Sequence, residues 1–241
     1  MNILVTGGST GLGKSIVNAL SDIPENKVFF TFNRHEKEAQ SIVREKQNVI
    51  AIKCDFTNID EVCELEKTIP VYDLDVLINN AYVGMPQGIY FHKTNSEVFL
   101  KSFEDNLIPT IRITQSAING FRIKKFGKII NVLSASLVNV PPMGYSVYAS
   151  NKAYIMQLSK SWSYEYARYN ISSNCISPDF MQTNLSENID ERIVEQLKDS
   201  HPLKRILTPE EVTDVVVFLI GTSQHINGVN IVINAGKNIL L

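Results

Sequence analysis

Three observations predict an α/β protein built on a doubly wound parallel sheet of about seven strands with helices on both faces. Apolar runs alternate with longer amphipathic stretches almost from end to end, and the first run leads at once into a glycine-rich turn. No Pro/Ser-rich linker, charge block or repeat divides the 241 residues. Strand–helix–strand alternation with short joints implies right-handed crossovers, which produce a parallel sheet covered on both sides. One domain is expected, since α/β folds often use this length as one.

The predicted strands cover residues 2–6, 27–32, 49–53, 74–79, 128–133, 171–176 and 229–234. They are rich in Val, Ile and Phe and mostly lack polar alternation, as strands buried on both faces should. Helical patterns fill the gaps at 11–20, 35–45, 59–67, 97–118, 146–168, 187–198 and 209–220. The fifth is unusually aromatic, with Tyr154, Trp162, Tyr164 and Tyr166. Such a face suits either a subunit contact or burial within the monomer.

Composition narrows the function classes. The chain is 44% hydrophobic and 20% charged, with 23 Lys+Arg against 25 Asp+Glu for a net charge of −2. A nucleic-acid binder would usually show a basic excess, so that role is not expected. Three cysteines, Cys54, Cys63 and Cys175, make no CxxC pair, and His35, His92, His201 and His225 show no metal-ligand spacing. Met1 runs directly into Ile3-Leu4-Val5, and no stretch reaches the ~18 apolar residues of a membrane helix. The expectation is a cytoplasmic protein without a metal or membrane partner.

The turn Thr6-Gly7-Gly8-Ser9-Thr10-Gly11-Leu12-Gly13 lies between the first strand and the first helix. Gly7 would allow the tight turn, Gly11 would let backbone approach a pyrophosphate, and Gly13 would let helix pack on strand. The helix N-terminus then offers unpaired N–H donors to the anion. A turn serving backbone geometry alone is the alternative. Gly13-Lys14-Ser15 imitates the end of a Walker loop, but the glycine spacing before it is wrong. In a Rossmann dinucleotide fold the end of strand two meets the adenine ribose. Asn33-Arg34 stands there without an acid until Glu36, so Arg34 could pair a 2′-phosphate and NADP(H) is favoured over NAD(H). A solvated surface arginine is the other reading. Asp55, next to Phe56, could accept from the adenine amino group or cap the next helix.

Tyr148 and Lys152 are four apart on a predicted helix and therefore share a face. A nearby ammonium stabilises a phenolate and lowers the tyrosine pKa. The pair can then donate a proton to a carbonyl undergoing reduction, or accept one in the reverse oxidation. Spacing alone is weak in a chain with nine tyrosines. Context adds Ser134, 14 residues upstream at the end of a strand, where open parallel sheets place their sites. Tyr145 and Ser136 compete locally, but Tyr145 has Ala149 four residues on.

Across essentially its whole length the chain resembles the single-domain short-chain dehydrogenases/reductases. The likeness rests on the Gly7/Gly11/Gly13 turn, Asn79-Asn80-Ala81, Asn106, Ser134 and Tyr148-Ala149-Ser150-Asn151-Lys152. Further on, Pro178 with Thr183 follows strand six. The stretch from His201-Pro202-Leu203 to Thr208-Pro209-Glu210-Glu211-Val212 is most similar to the 3-oxoacyl-carrier-protein reductases. The resemblance implies that Tyr148 donates the proton and Ser134 polarises the carbonyl. Lys152 would tune the tyrosine and bind the nicotinamide ribose, while Asn106 would hold a relay water. Asn80 would line the cofactor channel. The implied cofactor contacts are Gly7, Ser9, Thr10, Gly11, Leu12 and Gly13 at the turn, and Asn33, Arg34, Asp55 and Phe56 on the adenosine side. Asn80, Tyr148, Lys152, Pro178 and Thr183 complete that set.

Some positions depart from the family pattern. Tyr82 follows Asn79-Asn80-Ala81 where glycine is usual, Asp179 replaces a glycine after Pro178, and the last strand ends Asn234-Ala235-Gly236. Thr10 stands where many NADP-preferring members carry a base. Tyr82 would either narrow the pocket or face solvent. Tyr82, Val138, Met143, Tyr145, Phe180 and Met181 are expected around the substrate, with a lid within 182–203. That apolar set suits a ketone on a hydrophobic chain or ring, although several members could pack the core or a subunit contact. Lys124, Lys125 and Arg168 are either a basic rim for an acidic carrier protein or a solvated face.

The leading expectation is NADPH-dependent reduction of a 3-oxoacyl group, free, CoA-linked or carrier-linked, most of all as an acyl thioester. A short-chain alcohol dehydrogenase for another small hydrophobic or sugar carbonyl is the alternative, and a dinucleotide-sensing module a more distant one. The resemblance also implies a homotetramer or homodimer.

Overall fold

The computed structural model describes residues 1–85, 88–138, 140–181 and 191–237. Its strands are β1 (Asn2–Val5), β2 (Lys27–Phe32), β3 (Val49–Lys53), β4 (Val76–Asn79), β5 (Gly127–Val132), β6 (Ile171–Pro178) and β7 (Asn230–Ile233). All pair in parallel in one seven-stranded sheet, ordered β3-β2-β1-β4-β5-β6-β7. The helices are α1 (Gly11–Ser21), α2 (Glu36–Glu45), α3 (Ile59–Thr68), α4 (Ser96–Lys124), α5 (Ser146–Glu165), α6 (Glu191–Ser200) and α7 (Pro209–Gly221). This is the doubly wound Rossmann architecture expected from the sequence.

Period-two alternation within the strands divides the core between the two faces. Ile3, Val5, Val28, Phe30, Ile78 and Val132 pack with Ile16, Leu20, Val212 and Val216 of α1 and α7, and with Ala39 and Ile42 of α2. Leu4, Phe29, Leu77 and Ile129 turn the other way, toward Val62, Leu65, Ile113, Phe121 and Trp162 of α3, α4 and α5. Both faces are covered, which explains why the strands read as continuous apolar runs.

Two helices show how local sequence sets their bounds. α4 runs six residues past its expected end at Ile118, although Asn119-Gly120 reads as a stop. Fully buried Phe121 holds the extension, packed so closely on β5 that a Cβ on Gly127 would lie 2.2 Å from its ring. The helix ends at Lys125, whose φ of 54° lies in the left-handed region. α7 opens on a capping box, with Thr208 and Glu211 each bonding the other's backbone N–H. At its far end the buried Lys128 ammonium donates to the carbonyls of Leu219 and Thr222, a cation on the negative end of the helix dipole. The aromatic face of α5 divides: Trp162 is buried, whereas Tyr164 is 90% exposed. The start of the sixth helical pattern, 187–190, lies outside the described residues.

The order reverses between β1 and β4, each of which continues to a different half of the sheet. Open α/β sheets bind ligands at this switch point, outside the carboxyl ends of the strands. The glycine turn after β1 and Asn79-Asn80 at the end of β4 both fall there.

Central and edge strands should differ in energetic weight. Ile78→Ala in β4 empties a fully buried site and is expected to cost about 3 kcal/mol, whereas Ile50→Ala in edge strand β3, 39% exposed, should cost less than about 1 kcal/mol. Urea unfolding of the two variants checks this, and equal costs would contradict the placement of the core.

Candidate active site

The glycine turn is held in shape by neighbours on both sides. Gly7 and Gly11 have φ of 69° and 52°, a region costly for other residues. A Cβ on Gly13 would sit 2.0 Å from the Gly7 carbonyl oxygen, so only glycine lets α1 begin this close to the turn. The Gly7 N–H donates to Thr31 Oγ1 at 2.9 Å, and the Asn80 amide donates to the carbonyls of Thr6 and Gly7 at 3.0 Å. Thr6 Oγ1 in turn accepts from the N–H groups of Asn80 and Ala81. Thr10 precedes α1 without capping it, and the first turn carries no acid. The N-terminal N–H groups are thus left to an anion, which fits a dinucleotide pyrophosphate. Ser9 and Leu12 are both buried.

On the adenosine side, Arg34 is exposed just beyond β2. Burial opposes ionisation of Asp55, but hydrogen bonds from Thr57 and Asn33 and the charge of Arg34 outweigh it and hold the carboxyl below its usual range. Asp55 is not the helix cap. It accepts from the N–H and hydroxyl of Thr57, and Asn58 caps α3. Phe56 is buried in the core, so only its backbone is available to a ligand. Pro178 closes β6, whereas Thr183 lies outside the described residues.

Tyr148 and Lys152 lie on the first turns of α5, and Ser134 follows β5 as the N-cap of a short 3-10 turn. Ser134 Oγ accepts from the N–H and hydroxyl of Ser136, at 3.2 and 2.9 Å. It also hydrogen-bonds the Tyr148 hydroxyl. The competitor Ser136 therefore orients Ser134, and Tyr145 packs edge-on to Tyr148 with ring centroids 6.0 Å apart.

Lys152 is buried, and its Nζ donates to the Val132 carbonyl at 2.8 Å. Burial pushes its pKa down to about 8 and pushes that of Tyr148 up to about 12, the latter against a hydrogen bond from Ser134. The sequence led us to expect a tyrosine lowered by the lysine. Here desolvation outweighs that effect, because the ammonium points at a backbone carbonyl and stays 5.8 Å from the ring centroid of Tyr148. At neutral pH the pair holds a phenol and an ammonium, the protonation states that proton donation requires.

Asn106 lies on α4 three residues before Pro109, which has no N–H for the Asp105 carbonyl. Its amide clamps the chain beyond β4: Oδ1 accepts from Val83 N–H at 2.6 Å, and Nδ2 donates to the carbonyls of Val83 and Ser102. Between Asn106, Asn79, Val132 and Lys152 lies a cavity of about 20 Å³, enough for one water. Asn79 Oδ1 is a buried acceptor with no donor among the described residues, so the cavity wall carries a group that such a water would satisfy.

The Asn79 amide itself donates to Asn131 Oδ1 and Thr114 Oγ1, and Asn131 donates on to the Asn174 carbonyl. Sequence reading missed this buried asparagine ladder across β4, β5 and β6. Its signal was available: Asn79 and Asn131 stand in Val/Ile-rich strands that should tolerate no unpaired amide. Tyr82 turns inward toward the pair rather than facing solvent. Val138 and Met143 are exposed at the mouth, 40% and 76% respectively, and Met143 Sδ contacts the Tyr90 hydroxyl. Lys124, Lys125 and Arg168 precede β5 and β6 and so lie at the amino end of the sheet, opposite the site. Lys124 pairs there with Asp75 and Asp73. The basic-rim reading of these residues is therefore corrected to a surface cluster. Of the expected lid, 182–190 is outside the described residues and α6 is its described part.

A crevice at the switch point with two hydroxyls and a buried lysine beside it suits an oxidoreductase, and comparison with known proteins agrees. A family model described as enoyl-(acyl carrier protein) reductase matches residues 7–238. Carbonyl reductase family member 4 of Xenopus laevis is 30% identical over 98% of both chains. The 3-oxoacyl-(acyl-carrier-protein) reductase FabG of Rickettsia felis is 28% identical over 97% of this chain and 95% of its own. Among solved structures, YwfH, an NADPH-dependent reductase involved in bacilysin biosynthesis, superposes with a TM-score of 0.88 at 25% identity, covering 99% of this chain and 98% of its own. The chain belongs to the short-chain dehydrogenase/reductase family and is an NAD(P)-dependent oxidoreductase.

Burying the lysine charge destabilises the fold. Its depressed pKa corresponds to about 3 kcal/mol, of which about 1 would be offset by losing the bond to Val132. Lys152→Met is therefore expected to raise stability at pH 7 by about 2 kcal/mol. The advantage should shrink as pH rises from about 8 to about 10.5, where folded and then unfolded lysine lose their protons. Urea titrations across that range check it. A variant less stable than wild type at pH 7 would contradict the assignment.

Proposed function

We propose that the protein is an NADPH-dependent ketone reductase whose substrate is the 3-oxo group of an acyl thioester, carrier- or CoA-linked. The observation that carries this reading is the convergence of the Ser134 and Tyr148 hydroxyls beside the Lys152 ammonium at the carboxyl end of the sheet. Two hydroxyl donors suit one carbonyl oxygen. The bound nicotinamide supplies the hydride that reaches the carbonyl carbon. Ser134 polarises the carbonyl, Tyr148 gives its proton to the oxygen as the C–H bond forms, and Lys152 stabilises the phenolate left behind. A water in the cavity lined by Asn106 and Asn79 links Lys152 to that proton path.

The glycine turn from Gly7 to Gly13 would hold the pyrophosphate, with Asn80 and Pro178 along the nicotinamide half. Arg34 would pair the 2′-phosphate, Asp55 would accept from the adenine amino group, and Lys152 would bind the nicotinamide ribose. The segments after β4 and β5, at the carboxyl end of the sheet, favour an apolar substrate: Phe91, Val140 and Met143 there are 70%, 88% and 76% exposed. The names of the relatives point to 3-oxoacyl chains. Exposed Tyr164 of α5 and Ile123 of α4 fit a homo-oligomer.

Turnover of 3-oxoacyl thioesters is measured with NADPH and NADH, with enoyl thioesters and simple ketones as controls. NADPH-dependent formation of the 3-hydroxy product is expected. Tyr148→Phe should lower kcat by about 10²–10⁴-fold, the range for losing a general acid, and wild-type rates in that variant would sink the assignment. Turnover confined to enoyl thioesters or unrelated ketones would reassign the substrate. Arg34→Ala should weaken NADPH by about tenfold, as loss of one exposed charge-assisted contact does, and leave NADH unchanged. An equal loss with both cofactors would contradict the role of Arg34.

A further inference from the structure

Tyr82 departs from the glycine usual after Asn79-Asn80-Ala81, and its surroundings give it a task. Lys152 Nζ lies 4.9 Å from the centroid of the Tyr82 ring, inside the range for attraction between a cation and an aromatic face. The same ring meets Tyr148 edge to face, with centroids 5.0 Å apart and planes at 78°. Its hydroxyl is fixed from two helices. Asn151 of α5 donates to it at 3.5 Å, Ser102 of α4 hydrogen-bonds it, and Asn151 also donates to Ser102 Oγ at 2.8 Å. A ring held at its far end cannot easily turn away from the lysine.

The protein's own described groups leave Lys152 without a counter-ion. Among the described residues its three N–H donors have one hydrogen-bond acceptor, the Val132 carbonyl, and no carboxylate pairs with it. A carboxylate placed there would hold the ammonium, but it would also cancel the positive field at Tyr148. An aromatic face attracts the cation while adding no net charge.

We propose that Tyr82 is a positioning residue that holds the Lys152 ammonium beside Tyr148 through the face of its ring, in place of a counter-ion. The proposal rests on the catalytic reading of Tyr148 and Lys152 given above. The titratable groups facing Lys152 are Tyr148 on α5 with Tyr145 against it, Tyr82 beyond β4, and Cys175 on β6. β5 contributes the Val132 carbonyl, and α4 contributes Asn106 and Thr110, which do not titrate. The ring of Tyr82 lies closer to the ammonium than that of Tyr148, with centroids 4.9 and 5.8 Å away, and burial raises its hydroxyl pKa, so it carries no charge at neutral pH.

The test uses the full-length, cofactor-free protein labelled with 13C-lysine, with the Lys152 Cε signal identified by its loss in Lys152→Met. Its pH titration is followed in wild type, in Tyr82→Phe, in Tyr82→Leu, and with pentafluorophenylalanine at position 82. Tyr82→Phe keeps the face and should titrate like wild type. Tyr82→Leu and the fluorinated ring, which keeps the size but withdraws π density, should lower the midpoint by about half a pH unit or more. A midpoint unmoved by fluorination would overturn the proposal even if Tyr82→Leu failed to fold. So would a shift in Tyr82→Phe as large as in the fluorinated protein, since the hydroxyl would then be responsible. Tyr148→Phe kinetics test the underlying reading separately, because the titration needs no turnover.

Discussion

The site depends on one unfavourable act, the burial of the Lys152 ammonium beside a protonated tyrosine. Water is replaced by a single carbonyl and two aromatic rings. That substitution is incomplete, which is why the lysine pKa falls to about 8. The same lack of screening lets the charge act strongly on Tyr148 once its proton leaves. Stability is given up where the proposed chemistry needs a cation.

Much of the remaining architecture keeps that charge in position. β5 supplies the Val132 carbonyl and then Ser134 two residues on, and α5 packs against β6 through the Ser159–Ser173 hydroxyl pair. The asparagine ladder ties β4, β5 and β6 together below the site, and Asn106 pins the chain that carries Tyr82. Each of these contacts is a buried polar group with a partner. The free acceptor on Asn79 is the exception, and it borders a space of one water's size.

The sheet was legible in the sequence because strands buried on both faces cannot hide their composition, and the glycine turn marked where the first crossover begins. Helix ends were less legible. α4 passes Asn119-Gly120 because Phe121 finds a packed site on β5, a contact that the helical pattern alone does not reveal. That Ser134, Tyr148 and Lys152 come together could be read from spacing and strand ends. The sign of the tyrosine shift could not, because desolvation depends on packing. The asparagine ladder needs the strand order, since Asn79 and Asn131 become partners only when β4 lies beside β5. The two readings of Lys124 stayed open for a related reason: only the topology shows which end of the sheet it occupies.

The buried charge is tested most directly by the pH dependence of kcat/KM for ketone reduction by the wild-type protein. In the proposed mechanism reduction needs the Lys152 cation and the Tyr148 phenol together, and the lysine loses its proton first, at about 8. A rate that is level at neutral pH and falls through about pH 8 is the expected result. A rate that stays level or rises from about pH 7 to about pH 10 would contradict it.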